Sequence, residues 1–271
     1  MAFLSVVTTV RATSQEDFRY GVYKSNGTAY IEKYIGSSAV VDVPSSIRAD
    51  SGDRDDEGNP IYRNYTVTCI SKYAFSGNVG ITQVSIPETI TDGSKLCIFA
   101  ECTNLREVNF KGVVRDIPTG MFSKCSNLRT LDLRWDSVES IGSEAFLDCG
   151  YDFGVLDYLP NVKTIGARAF GNVQTLTSVS LSSLRRIERE AFIGCGNLES
   201  ASVDGAGLRL EGGGENDYYT YGPFARCPKL RTVRLGDGVV SIPYRRNRLG
   251  DDGLVDLMAV PKRATTVFLH I

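Results

Sequence analysis

The chain has 271 residues, 42% of them hydrophobic, and its 30 Lys and Arg against 32 Asp and Glu leave a net charge of −2. Such a chain can bury an ample core, while its near-neutral balance argues against bulk attraction to nucleic acid or a membrane surface. No run of eighteen apolar residues exists, which excludes a transmembrane helix, and the single histidine, His270, leaves His-based triads, histidine–zinc sites and Cys–His nucleophiles without their essential group.

In chain order, Ala2 to Val10 is apolar but short and has no basic lead. It reads as the start of the folded chain, with a remnant of an export signal as the other reading. Phe18 to Tyr23 and Thr28 to Ile35 flank Lys24-Ser25-Asn26-Gly27, and Asn-Gly between alternating apolar runs predicts a β-hairpin. Val40 to Ile47 reads as a first irregular coil. Ala49 to Pro60 is a polar insertion rich in Asp, and it reads as a solvated loop. Clustered carboxylates suit calcium, but their spacing departs from an EF-hand and Arg54 stands among them.

From there one unit recurs. Phenylalanines stand at 75, 99, 122, 146, 170, 192 and 224, at intervals of 24, 23, 24, 24, 22 and 32. A fixed period in the twenties marks a solenoid, in which stacked repeats build a core that no single repeat can bury. Ile187-Glu188-Arg189-Glu190-Ala191-Phe192-Ile193-Gly194-Cys195-Gly196-Asn197-Leu198 is one unit, and Ile117 to Leu128 repeats all of it. Ile141 to Cys149 and Ile165 to Phe170 repeat its first half. Leu105-x-x-Val108-x-Phe110, Leu128-x-x-Leu131-x-Leu133 and Leu176-x-x-Val179-x-Leu181 supply a short strand per coil with one face inward. Pairs such as Val138-x-x-Ile141 and Val162-x-x-Ile165 line the return side. The fourth coil carries one extra residue near Tyr151 to Gly154, so its strand is expected at Phe153 to Tyr158. The unit before Phe99 has Ser94 where the others have isoleucine.

These I-G-x-x-A-F-x-x-C-x-x-L units resemble the BspA-type leucine-rich repeats of surface proteins from bacteria and some parasitic protists. The resemblance covers roughly residues 65 to 242. It implies a β-rich solenoid of the leucine-rich-repeat kind, a right-handed superhelix or horseshoe. The division expected is residues 1–64 as an N-terminal cap with the irregular coil and acidic insertion, 65–242 as one continuous repeat domain, and 243–271 as a C-terminal cap. About eight coils at ~4.8 Å make a stack about 35–40 Å long.

Five of the seven cysteines, Cys102, Cys125, Cys149, Cys195 and Cys227, stand three residues after a phenylalanine, where one coil has Val173. A slot that accepts valine wants apolar volume, so buried free thiols are expected rather than disulfides or a metal. Cys69 and Cys97 lie off this column.

No Walker loop, G-x-G-x-x-G, G-x-S-x-G or H-E-x-x-H is present, so no catalysis, cofactor or metal is expected. The candidate contacts for a partner lie on the surface. Between the inward strand residues stand Asn109, Asp132, Asp157 and Arg234, in a column otherwise of serines. Trp135 aligns with small turn residues, and its alternatives are a partner contact and packing with Phe153 or Tyr158. The last interval is about nine residues longer than the others, the extra length is expected within 205–222, and it carries Tyr218, Tyr219 and Tyr221. Insertions in solenoids map to loops and often to binding edges.

After Ile242 the pattern stops. Arg245, Arg246 and Arg248 form a solvated basic cluster, while Leu254 to Met258 and Thr266 to Leu269 supply apolar groups for a cap, the latter as one more worn strand. The family resemblance implies a monomeric, non-catalytic binding module at the cell surface or outside the cell, engaging a host or neighbouring-cell protein, with no nucleic acid and no membrane insertion. The other reading is a structural scaffold or intracellular interaction protein, cytoplasmic, where free cysteines are natural.

Overall fold

The computed structural model describes residues 13–90, 97–212, 221–241 and the backbone of 267–268. In chain order its strands are β1 Phe18–Tyr23, β2 Thr28–Tyr34, β3 Val40–Asp42, β4 Ser46–Arg54, β5 Pro60–Ile70, β6 Gln83–Ile86, β7 Glu107–Phe110, β8 Asp116–Ile117, β9 Thr130–Asp132 and β10 Ser140–Ile141. They continue as β11 Val155–Leu156, β12 Thr164–Ile165, β13 Ser178–Leu181, β14 Arg186–Ile187, β15 Ser200–Val203, β16 Leu208–Leu210, β17 Thr232–Leu235, β18 Val239–Ser241 and β19 Val267–Phe268.

The repeat period becomes parallel pairing. In the strand face β3, β6, β7 and β9 form one sheet, and β11, β13, β15, β17 and β19 form another. The return side is a third sheet in the order β18-β16-β14-β12-β10-β8. Register follows the repeat, with Val84, Val108 and Leu131 in line and Ile117, Ile141, Ile165, Ile187 and Leu210 in line. Between the two faces run the phenylalanines. Phe99, Phe122, Phe146, Phe170 and Phe192 are wholly buried. Successive rings lie 5.2–5.8 Å apart, stacked from Phe99 onward.

The turns that carry the phenylalanines form a third ladder. The N–H groups of Glu144, Phe146 and Asp148 donate to the carbonyls of Ala167, Ala169 and Gly171 at 2.8–2.9 Å. Arg168, Phe170 and Asn172 do the same toward Arg189, Ala191 and Ile193. A left-handed residue two positions before and two after the phenylalanine aims these groups along the stack. All ten non-glycine residues with positive φ among those described occupy these places. Each such conformation costs about 1 kcal/mol in isolation, and here the inter-coil hydrogen bonds offset it.

Cysteine fits its slot for a second reason. The thiols of Cys102, Cys125, Cys195 and Cys227 each donate to the carbonyl of the preceding coil's phenylalanine at 3.1 Å. All seven cysteines are free thiols, five of them buried. The asparagine two residues after the cysteine is explained likewise: Asn104, Asn127 and Asn197 amides donate to Val79, Thr103 and Gln174 carbonyls at 2.7–2.8 Å.

At the N-terminal end β1 and β2 form the expected antiparallel hairpin, closed by a turn with Gly27 at φ 71°. Phe18 and Tyr34 lie against Phe75, with centroids at 6.5 and 5.6 Å, so the end of the phenylalanine stack is covered. The acidic stretch differs from the loop expected of it. It forms the hairpin β4–β5, added to the first as the sheet β1-β2-β5-β4. Its turn is built by Asp55, whose carboxylate accepts the N–H groups of Glu57 and Asn59 while its carbonyl accepts that of Gly58. The ribbon is wet on both sides there, and its polar composition alone reads as a loop.

Three further expectations are corrected. Leu208–Leu210 belongs to the return sheet as β16, so the insertion falls after it, at 212–220 instead of beginning at 205. The fourth coil keeps only the two-residue strand β11 in place of a strand over Phe153 to Tyr158, and among the described residues β9 and β11 are not paired. The strand near Thr266 exists as β19 but runs antiparallel to β17, turning back on the sheet where another coil would continue it. Ala2 to Val10, Ser94, the Arg245–Arg248 cluster, Leu254 to Met258 and His270 lie outside the described residues.

Gly205 shows how closely coils approach. It has φ +154°, and a Cβ there would sit 1.7 Å from the Leu184 carbonyl oxygen. Backbone cannot yield as a side-chain tip does, so Gly205→Ala is expected to lower stability by about 2–4 kcal/mol. A urea midpoint within error of wild type would refute this.

Candidate interaction surface

The strand face is built by alternation. In β6, β7, β13, β15 and β17 the second residue is buried and the first and third point outward. Parallel register then sets outward residues in rows. Asp42, Ser85, Asn109 and Asp132 form one row, and Ser180, Ser202 and Arg234 form its counterpart beyond the break. Asp157 follows Leu156, which pairs with Val179, and so heads that second row. Asp132, Asp157 and Arg234 are exposed and Asn109 is half-buried. The neighbouring row contains Gln83, Glu107 and Thr130, where the Gln83 amide donates to the Glu107 carboxylate at 3.1 Å. These rows are polar, and the first and its counterpart are short-chained except at Arg234.

The sheet break between Asp132 and Val155 holds an aromatic cluster. The 3₁₀ turn Trp135–Ser137 places the Trp135 ring 6.3 Å from Phe146, 6.1 Å from Tyr151, 6.3 Å from Phe153 and 5.5 Å from Tyr158. Of the two readings of Trp135, packing is what the geometry supports, and the ring is half-buried against the core. Burial pushes the Tyr151 and Tyr158 hydroxyls up, so both stay neutral across physiological pH.

Tyr221 sits elsewhere. The Arg226 guanidinium lies 4.7 Å from the Tyr221 ring and donates to its hydroxyl at 3.0 Å, and the Tyr221 N–H donates to Glu190. The structure therefore brings Asn109 and Asp132 together, sets Asp157 and Arg234 on the second sheet, and leaves Trp135 and Tyr221 engaged within the chain. Tyr218 and Tyr219 lie outside the described residues.

Charge on the turn and return sides is laddered from coil to coil. Lys124 meets Glu101 at 2.7 Å, Lys163 meets Glu139 at 2.5 Å, and Arg168 lies 3.4 and 3.8 Å from Glu144 and Glu190. Hydrogen bonds from Lys124 and Lys163 hold the Glu101 and Glu139 carboxyls below the usual range. Exposed pairs of this kind add little stability. Among the described residues no three His, Cys, Asp or Glu side chains converge as a metal set, and no helix is long and apolar enough to cross a membrane.

Sequence reasoning missed one feature, the tyrosines on the outer face of the β1-β2-β5-β4 sheet. The signal was present as Gly21 opposite Tyr30, where the alternation of β1 drops a side chain.

The family model for the BspA type leucine rich repeat region matches residues 59–152 and 155–245 in six copies. No curated protein matches the chain. Among solved structures, a leucine rich repeat protein of T. pallidum is similar at 20% identity, covering 86% of each chain with a TM-score of 0.44. One from Bacteroides ovatus is similar at 21% identity over 84% of this chain and 77% of that chain, with a TM-score of 0.47. A leucine rich cell surface protein from Faecalibacterium prausnitzii is similar at 19% identity over 86% and 78%, with a TM-score of 0.37.

Proposed function

This chain belongs to the BspA-type leucine-rich repeat family, and from that premise we propose that it is a non-catalytic, monomeric protein-binding module of the bacterial cell surface or exterior. Its partner is a host or neighbouring-cell protein. The observation that carries the reading is the register-aligned strand face, where Ser85, Asn109 and Asp132, and then Ser180 and Ser202 beside the longer Arg234, offer short polar side chains without bulk. A partner reaches the backbone ridge there at small entropic cost, since short side chains lose few rotamers on contact. The β1–β2 hairpin acts as the N-terminal cap and the segment around β19 as the C-terminal one, closing a right-handed superhelix whose repeat domain spans residues 65–242.

Arginines placed on this face, Asp132→Arg with Ser202→Arg, are expected to cut capture of immobilised extracellular-matrix or serum proteins at least about tenfold, ~1.4 kcal/mol. Deletion of 213–220 should leave capture unchanged. Loss on deletion alone would move the site to the insertion, and no capture by the intact protein would favour a scaffold. The scaffold reading draws on one observation, the seven free thiols, which suit a reducing compartment.

A further inference from the structure

We propose that the outer face of the β1-β2-β5-β4 sheet is a second binding surface, distinct from the strand face, and that it takes a carboxylate-bearing oligosaccharide. Its first part is a ring laid flat. Gly21 pairs with Tyr30 across β1 and β2, and a Cβ at Gly21 would stand 2.4 Å from the Tyr30 ring. The missing side chain lets that ring rest on the β1 backbone with its other side toward solvent. Tyr23, 54% exposed, stands beside it at a centroid distance of 5.3 Å and an angle of 39°. A flat aromatic face with negative quadrupole attracts the polarised C–H groups of a pyranose ring, and a ring already held in place loses little entropy on contact.

Register supplies the rest. Tyr23 pairs with Thr28, Thr28 with Thr66, and Thr66 with Ser46 in one outward row. Further along the same face Asn64 pairs with Arg48 and Tyr62 with Asp50. The Thr66 hydroxyl and the Asn64 amide point outward and make no hydrogen bond within the described protein. Tyr62, 53% exposed, lies four residues from Thr66, about 13 Å along the strand. The face is thus a polar stretch with an aromatic ring at each end, long enough for a short oligosaccharide.

Charge chooses the acidic sugar. The Arg48 guanidinium sits 5.7 Å from the Tyr62 ring centroid and has no carboxylate partner among the described residues. Arg54 donates to Asp50 at 3.2 Å, and Lys24 reaches across so that its amine would lie 3.0 Å from a Cβ on Gly52. The Asp50 carboxylate, with Arg54 and Lys24 as its cationic neighbours, is committed to Arg54 and to the Gly52 N–H at 2.7 Å. Arg48 is left with a planar fork suited to a uronate-type carboxylate. The hydroxyls of a sugar then meet Thr66 and Asn64 while its ring meets Tyr30.

The test is calorimetric titration of the full chain with three probes: a hyaluronan-derived octasaccharide, a heparin-derived octasaccharide and a neutral chitin-derived hexasaccharide. The hyaluronan fragment is expected to bind at least tenfold tighter than the neutral one. Tyr23→Ala, Tyr30→Ala and Arg48→Gln should each weaken it at least fivefold, with circular dichroism unchanged, while Asp132→Arg should not. Tyr23 is exposed enough that its truncation tests the surface even if Tyr30→Ala disturbs folding. Equal affinity for the neutral hexasaccharide would overturn the acidic specificity. Binding of heparin alone, insensitive to Tyr23→Ala, would mean diffuse charge attraction and overturn the site, as would no binding of any probe.

Discussion

Replacing Phe170 with alanine is expected to lower the free energy of unfolding by about 3–5 kcal/mol, the range for a fully buried phenylalanine. The Phe170 ring has no exposed surface. It stacks on Phe146 at 5.5 Å and on Phe192 at 5.2 Å, and meets Phe153 edge-on at 5.2 Å. Each aromatic pair adds about 0.5–1.5 kcal/mol beyond the area it buries. The cavity left behind cannot close by moving coils together. The backbone on both sides is pinned by the Phe146-to-Ala169 and Phe170-to-Ala191 hydrogen bonds, each 2.8 Å. In a solenoid each coil is held chiefly by its neighbours, so a weakened middle coil should also part the array into two units. Trp135, 6.3 Å from Phe146, reports the coils on its own side of the gap. Urea unfolding followed by its fluorescence should then precede or lag unfolding followed by circular dichroism. A single coincident transition displaced by less than ~1 kcal/mol would sink the argument.

Stability is expected to fall as pH rises from about 9 toward 12. Burial pushes the Cys102 and Cys149 thiols up from 9.0 to about 12. Cys125 is also raised, chiefly by burial. The sign follows from which state holds the proton. Below pH 9 the thiols are protonated in both the folded and unfolded chains, and the full stability is present. Above it the unfolded chain ionises while the folded chain cannot, so each unit of pH draws the equilibrium toward unfolding. A shift of three units is worth about 4 kcal/mol per thiol once pH reaches 12. Lysines and tyrosines titrate in the same window, so the thiol part is isolated by Cys149→Val, which imitates Val173 in the same slot. That variant should show a shallower decline in urea midpoint between pH 8 and 10.5. Identical slopes would mean that the buried thiols are not responsible. The same burial predicts that iodoacetamide labels these cysteines only on unfolding.

What was legible beforehand was whatever repeats. The phenylalanine period placed the coils, the inward strand residues and the apolar slot that cysteine or valine fills, because each coil presents the same chemistry to the next. The Asn26-Gly27 hairpin was legible too, since its turn needs a left-handed residue. The strand-face rows followed from alternation, although the break at Val155 did not. At that break four rings meet around Trp135, a clustering no local pattern encodes.

Three other features were decided only by tertiary contacts. Ala49 to Pro60 is as polar as a loop and became a ribbon because β5 pairs with both β2 and β4. Leu208–Leu210 reads as insertion because its spacing departs from the repeat, yet β14 on one side and β18 on the other recruit it as a strand. The left-handed residues around each phenylalanine carry Glu, Arg, Asp, Lys, Asn, Tyr and Cys as well as Gly, so residue type gave no sign of them. The period, and with it which side chains face inward, is written into the chain, because burial of identical residues in register is a local demand repeated along it. The tertiary structure decided which irregular segments join the sheets and where backbone turns against its own preference, because hydrogen bonds from neighbouring coils outweigh local propensity.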